Sequence, residues 1–127
     1  MKILFAGILG CLAPSVVAQT VDCNNQITQM DMNICADIAY DEADAELNRA
    51  YGLAVDHARQ IDAQSKIGVE ERLRVAQRAW ISYRDAACDA EASMFEGGSI
   101  QPLVYSGCLE RLTLTRNADL YIFTSNY

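Results

Sequence analysis

Apolar residues recur along this chain at steps of three and four, and no stretch alternates at the period of a β-strand. Ala36, Tyr40, Ala43, Leu47, Ala50, Ala54, Ala58 and Ile61 fall on one helical face, and Tyr51 widens the stripe. At its head, Thr28-Gln-Met-Asp31 has the form of a capping box, with the Thr28 hydroxyl placed to accept from a backbone N–H three residues on. Asp31, Asp37, Asp41, Glu42, Asp44 and Glu46 crowd the first half of this helix, where carboxylates suit the positive end of the helix dipole. Gly52 is a weak point within it. Asp62 to Gly68 breaks the pattern and reads as a turn. A second helix is predicted from Val69 to Ala92, with Leu73, Ala76, Trp80, Tyr83 and Ala87 as its stripe and Gln77, Arg84 and Cys88 alongside. Met94 to Gln101 reads as a loop, because Gly97-Gly98 is a poor helix interior. Ser99 is placed to cap a third helix and Pro102 to sit in its first turn, where the missing N–H costs nothing. That helix carries Tyr105, Cys108, Leu109, Leu112, Arg116 and Leu120 toward Tyr121-Ile122-Phe123. The pattern predicts an all-α fold: an antiparallel helical hairpin with a third helix packed against it.

The first eighteen residues do not fit this scheme. Lys2 precedes an apolar run from Ile3 to Val17, and Val16-Val17-Ala18 puts small or apolar residues where a signal peptidase reads them. Residues 1–18 are expected to be a secretory signal, too short and interrupted to span a membrane. Ile8-Leu9-Gly10-Cys11 resembles a lipobox, but its apolar run is cramped, so lipidation at Cys11 is the lesser alternative to cleavage after Ala18. Residues 19–127 are then one domain of 109 residues, periplasmic or secreted.

Removal of the signal changes both charge and cysteine count. Lys2 leaves, so nine basic residues face seventeen acids and the formal charge moves from −7 to −8. That balance argues against nucleic acid and anionic membrane as partners and favours a basic protein. Five cysteines become four, Cys23, Cys35, Cys88 and Cys108, an even number that implies two disulfides in an exported domain. Antiparallel packing puts all four at one end of the bundle. Short loop spans favour Cys23–Cys35 and Cys88–Cys108, each worth on the order of 3 kcal/mol; the crossed pairing through Cys35–Cys88 is the alternative.

No catalytic, cofactor or metal motif stands out. There is no C-x-x-C, and a single histidine, His57, is expected on an exposed part of the first helix with no nucleophile motif to serve. Asp37, Asp41 and Asp44 share a face but lack the Glu-x-x-His step of di-metal bundles, and read as a solvated acidic surface. Trp80 is expected in the core. Arg84 shares its face and needs a carboxylate, Asp41 or Asp44, as a structural partner that fixes register. The segment Phe95-Glu96-Gly97-Gly98-Ser99 differs from its surroundings. It combines an exposed aromatic ring, a carboxylate and two glycines on a base that a Cys88–Cys108 bridge would staple, and it is the candidate partner-binding loop.

Met32-Asn33-x-Cys35-Ala36, Ala43-Asp44-x-x-Leu47-Asn48-x-x-Tyr51, Ala76-Gln77-Arg78-Ala79-Trp80-Ile81-x-x-Arg84-Asp85-x-x-Cys88, Gly97-Gly98-Ser99, and Cys108 with Leu112-Thr113-x-x-Arg116 together resemble the LprI-type lysozyme inhibitor family, specifically its N-terminal domain. The resemblance spans about residues 23 to 120. It implies a small exported helical domain and, for some members, binding and inhibition of lysozyme. The expectation is therefore a non-enzymatic, acidic binding protein that occludes the cleft of lysozyme-type muramidases. The competing expectation is a structural or interaction module of the envelope with no effect on lysozyme.

Overall fold

The computed structural model describes residues 21–126; the signal assigned to residues 1–18, with Cys11, lies outside the described residues. Three helices follow one another: α1 (Gln29–Ser65), α2 (Val69–Ser93) and α3 (Gln101–Asn126). At 1.5 Å per residue, α1 is about 55 Å long and runs unbroken through Gly52. It starts at a complete capping box. The Thr28 hydroxyl accepts from the Asp31 N–H at 3.1 Å, and the Asp31 carboxylate accepts from the Thr28 N–H at 2.9 Å. Those bonds hold the Asp31 carboxyl below its ordinary range.

The first turn is tighter than the sequence suggested. α1 continues to Ser65, and only Lys66 to Gly68 lie outside a helix. Lys66 closes α1 in the left-handed region, at φ 54°, and its N–H returns to the Asp62 carbonyl. Asp62 is thus helical, yet its side chain caps the next helix. Its carboxylate accepts from the N–H groups of Gly68, Val69 and Glu70 at 2.8–3.0 Å, satisfying donors that α2 leaves open. This crossing of three bonds forces α2 back along α1.

Successive contacts fix the direction of α3. Asn33 meets Ser99, Asp37 meets Ser106, the Ala43 carbonyl meets Asn117, and Glu46 meets Tyr121. Positions rise together in both helices, so α3 runs parallel to α1 and antiparallel to α2. The architecture is the all-α hairpin with a third helix packed against it, stapled by Cys23–Cys35 and Cys88–Cys108.

The core divides in two. Leu47, Ala50, Ala54, Val55, Ala58, Leu73 and Leu120 form one cluster, edged by Tyr51, Val69, Trp80, Tyr121 and Phe123. Cys88, Cys108 and Leu109 form the other, edged by Tyr40, Tyr105 and Leu112. A buried polar layer separates them, made by Arg84, Thr113 and Asn117. The alanines of α1 let the helices approach closely, but an alanine buries little apolar area, so the cross-links carry weight in a core of this kind.

Helix α2 is rotated relative to its hydrophobic stripe. Leu73, Gln77, Arg84, Cys88 and Ala92 are buried, whereas Ala76 is exposed and Tyr83 is 62% exposed. The reason is that Gln77 and Arg84 find polar partners inside, which reverses the usual ranking of side chains. Helix α3 departs in the same way, burying Ser106, Thr113 and Asn117 beside Cys108, Leu109 and Leu120. Ser99 does not cap α3: the helix opens with the Val104 N–H bonding to the Ile100 carbonyl, and the Ser99 carbonyl faces α1. Pro102 does occupy the first turn.

Candidate functional site

The segment from Met94 to Ile100 leaves α2 through consecutive tight turns. The N–H groups of Phe95, Glu96, Gly98 and Gln101 return to the carbonyls of Ala92, Ser93, Phe95 and Gly98 at 2.9–3.1 Å. Gly97 adopts φ +77°, which a side chain would strain. At Gly98 a Cβ would come within 3.1 Å of the Phe95 carbonyl oxygen. The two glycines thus serve a fixed backbone. Two side chains tie it down: the Gln101 Oε1 accepts from the Gly97 N–H at 3.3 Å, and the Asn33 Nδ2 donates to the Ser99 carbonyl at 3.0 Å. The Cys88–Cys108 bridge closes the base. On this frame Met94, Phe95 and Ile100 remain exposed, Met94 at 72%. Phe95, Glu96, Gly97, Gly98 and Ser99 thus form an exposed, stapled loop.

The second group of singled-out residues lies inside. The Arg84 guanidinium donates to Asp85 at 2.9 Å, to Asp44 at 3.2 Å and to the Thr113 hydroxyl at 3.3 Å. Asp44, not Asp41, is the partner on α1. Burial opposes the Arg84 charge, but Asp85, Tyr40 and Asp44 outweigh it and bind its proton more tightly than usual. Trp80 is half-buried at the edge of the core. The guanidiniums of Arg84 and Arg116 lie 5.2 and 5.9 Å from its ring centre, within cation–π range. Arg116 donates to Gln77 at 2.9 Å, and its burial weakens its hold on its proton. The sequence motif includes Asp85, Thr113 and Gln77, but nothing in it marks them as the partners of Arg84 and Arg116. The i,i+1 spacing of Arg84 and Asp85 carries no helical-face signal, and a threonine has no pattern that marks it as a buried partner.

His57 is half-buried, not exposed. Its ring meets Phe123 edge-on at 5.8 Å, and its Nε2 has no hydrogen-bond partner among the described residues. Packing of the α3 C-terminus over α1 covers it. Among the described residues no three His, Cys, Asp or Glu side chains are arranged to hold a metal ion, and no helix is long and apolar enough to cross a membrane.

Comparison with known proteins follows the same outline. A family model described as lysozyme inhibitor LprI matches residues 22–120. An uncharacterized protein of Rhizobium meliloti (strain 1021) is 43% identical over 120 residues, covering 89% of this chain and 86% of its own length. No solved structure matches. The matched region begins one residue before Cys23 and takes in both disulfides, the Arg84 network and the whole 94–100 loop. The chain belongs to the LprI lysozyme inhibitor family.

Proposed function

We propose that the mature protein acts in the periplasm or after secretion as an inhibitor that blocks the cleft of lysozyme-type muramidases. Family membership carries the inhibitor role, and two disulfides suit an oxidising, exported setting. The observation that supports cleft occlusion is the exposed Phe95 on a backbone pinned by turn bonds, two side-chain ties and a disulfide. A loop held in its bound shape loses little entropy on docking. Phe95 is the apolar anchor, of the kind that dominates small interfaces. Glu96 would be repelled by the carboxylate pair of a glycosidase site, so it meets a basic residue on the cleft rim. Gly97, Gly98 and Ser99 let the loop backbone approach closely.

Wall lysis by a basic lysozyme tests this reading directly. Mature protein at micromolar excess is expected to slow lysis, and replacement of Phe95 and Glu96 by alanine is expected to remove most of the effect. Undiminished lysis with the wild-type protein would sink the proposal.

A further inference from the structure

Charge is distributed very unevenly along this chain. Residues 22–48 hold seven carboxylates and residues 85–110 hold five, so twelve of the seventeen acids lie there, and none of the ten Lys and Arg. These two segments are far apart in sequence, but α2 runs antiparallel to α1 and α3 starts beside both, so the fold gathers them at one end. Three cations directly adjoin these segments. Arg84 is buried and engaged by Asp44 and Asp85, Arg49 is paired with Glu46, and Arg111 is paired with Glu91 at 2.8 Å. At the opposite end Arg59, Arg74 and Arg78 meet Asp56, Glu70 and Glu71, so the charges there offset one another.

Two open clefts lie at the acidic end, one on each side of Pro102. The first, of about 290 Å³ between α1 and α3, has Ile34 and Pro102 as apolar wall and Asp37 as its carboxylate. The second, of about 310 Å³ between α2 and α3, has Ala92, Pro102 and Tyr105 as wall and Asp89 as its carboxylate. Among the described residues no cation reaches Asp37 or Asp89; Asp37 receives only the Ser106 hydroxyl, at 3.5 Å. Each cleft also touches the binding loop through a lining residue: Asn33 of the first bonds to Ser99, and Gln101 of the second bonds to Gly97.

An apolar trough ending in an unpaired carboxylate suits the side chain of lysine or arginine. The alkyl stem packs on the wall while the charged head meets the acid. Anionic lipid and nucleic acid would be repelled by the same surface. We propose that a basic protein partner seats two cationic side chains here, one in each cleft astride Pro102, with Asp37 and Asp89 as their acceptors. The identity of that partner as a muramidase rests on the function proposed above. The preference of the clefts for cationic side chains does not.

The test compares the mature protein with an Asp37→Asn, Asp89→Asn double variant. Both positions are exposed, so the variant is expected to keep the wild-type circular dichroism and melting temperature. Binding to a basic lysozyme, measured by calorimetry, is expected to weaken about tenfold in the variant. Acetylating the surface lysines of the lysozyme is expected to weaken wild-type binding and to reduce the gap between the two proteins. Equal affinity of wild type and variant, with lysis still slowed, would overturn the clefts and leave the inhibitor reading standing. If wild type neither binds nor slows the lysozyme, the inhibitor reading fails, and titration of 15N-labelled protein with a short peptide carrying two arginines decides the clefts. Amide shifts at Ile34, Asp37, Asp89 and Gln101 that vanish in the variant support them; no shifts, or the same shifts in both proteins, overturn them.

Discussion

Arg84 shows how one buried side chain can organise a bundle. It joins α2 to α1 through Asp44 and to α3 through Thr113, and it lies over the rings of Trp80 and Tyr40. A charge placed between two apolar clusters is costly unless every donor is used, which makes the helix register specific. Arg84→Ala is expected to lower stability by about 3 kcal/mol in urea titration. Arg84→Met, which keeps the volume without a charge, is expected to recover at least half of that loss. Asp44 is more than a third exposed, so Asp44→Asn should cost less, about 1 kcal/mol. At the α1–α2 turn, Asp62 answers to pH. The N–H groups of Glu70, Val69 and Gly68 hold its carboxyl below the ordinary value of 3.8. A depressed folded value means that this contribution is complete above the unfolded value and is lost as pH falls through the folded one. The stability difference between wild type and Asp62→Ala is therefore expected to stay level above about pH 5 and to shrink only in strong acid, as acid unfolding curves would show.

Among the elements, α1 was the most legible from sequence and α2 the least. The acidic first half, the Thr28 capping box and the alanine-rich stripe of α1 all agree with its structure, because each is a local rule. On α2 the hydrophobic stripe was misplaced by one position, since Gln77 and Arg84 turn inward to Arg116 and Asp44. The same limit explains why the burial of Ser106, Thr113 and Asn117 on α3 has no mark in the sequence. In the 94–100 loop, Gly97-Gly98 announced the break, but only the fold shows that four turn bonds and two side-chain ties hold its backbone. The two disulfides differ in what they secure. Cys23 is exposed on the polar lead, whereas Cys88 and Cys108 are core residues at the foot of the loop. Replacing Cys88 and Cys108 by alanine is expected to cost about 3 kcal/mol and to expose Phe95 to protease cleavage. Replacing Cys23 and Cys35 is expected to leave the loop resistant to protease, as limited proteolysis with mass spectrometry would report.

At the scale of the whole molecule, the carboxylates are concentrated toward the end that carries the proposed binding features. Twelve carboxylates, two clefts and the stapled loop share that end, while the α1–α2 turn end carries the offset ion pairs. Association with a basic partner is expected to be fast at low salt and to slow steeply as ionic strength rises past 0.1 M, where the screening length is about 10 Å. Stopped-flow measurement should show this loss mainly in the association rate. A salt-independent association rate would mean that the acidic end takes no part in encounter.

Three helices, the capping box of α1, the breaks between the helices and the preference for local disulfides followed from the chain alone. Period, capping chemistry, glycine and loop length act over a few residues and leave a mark at each position. What the tertiary structure alone decided was which polar groups face inward and which distant segments meet. A glutamine or arginine is cheap to bury only when its partner arrives from another helix, and no local pattern records that partner. The acidic segments 22–48 and 85–110 were visible as composition, but they became one surface only because the Asp62-capped turn sends α2 back along α1 and the stapled loop returns α3 beside both.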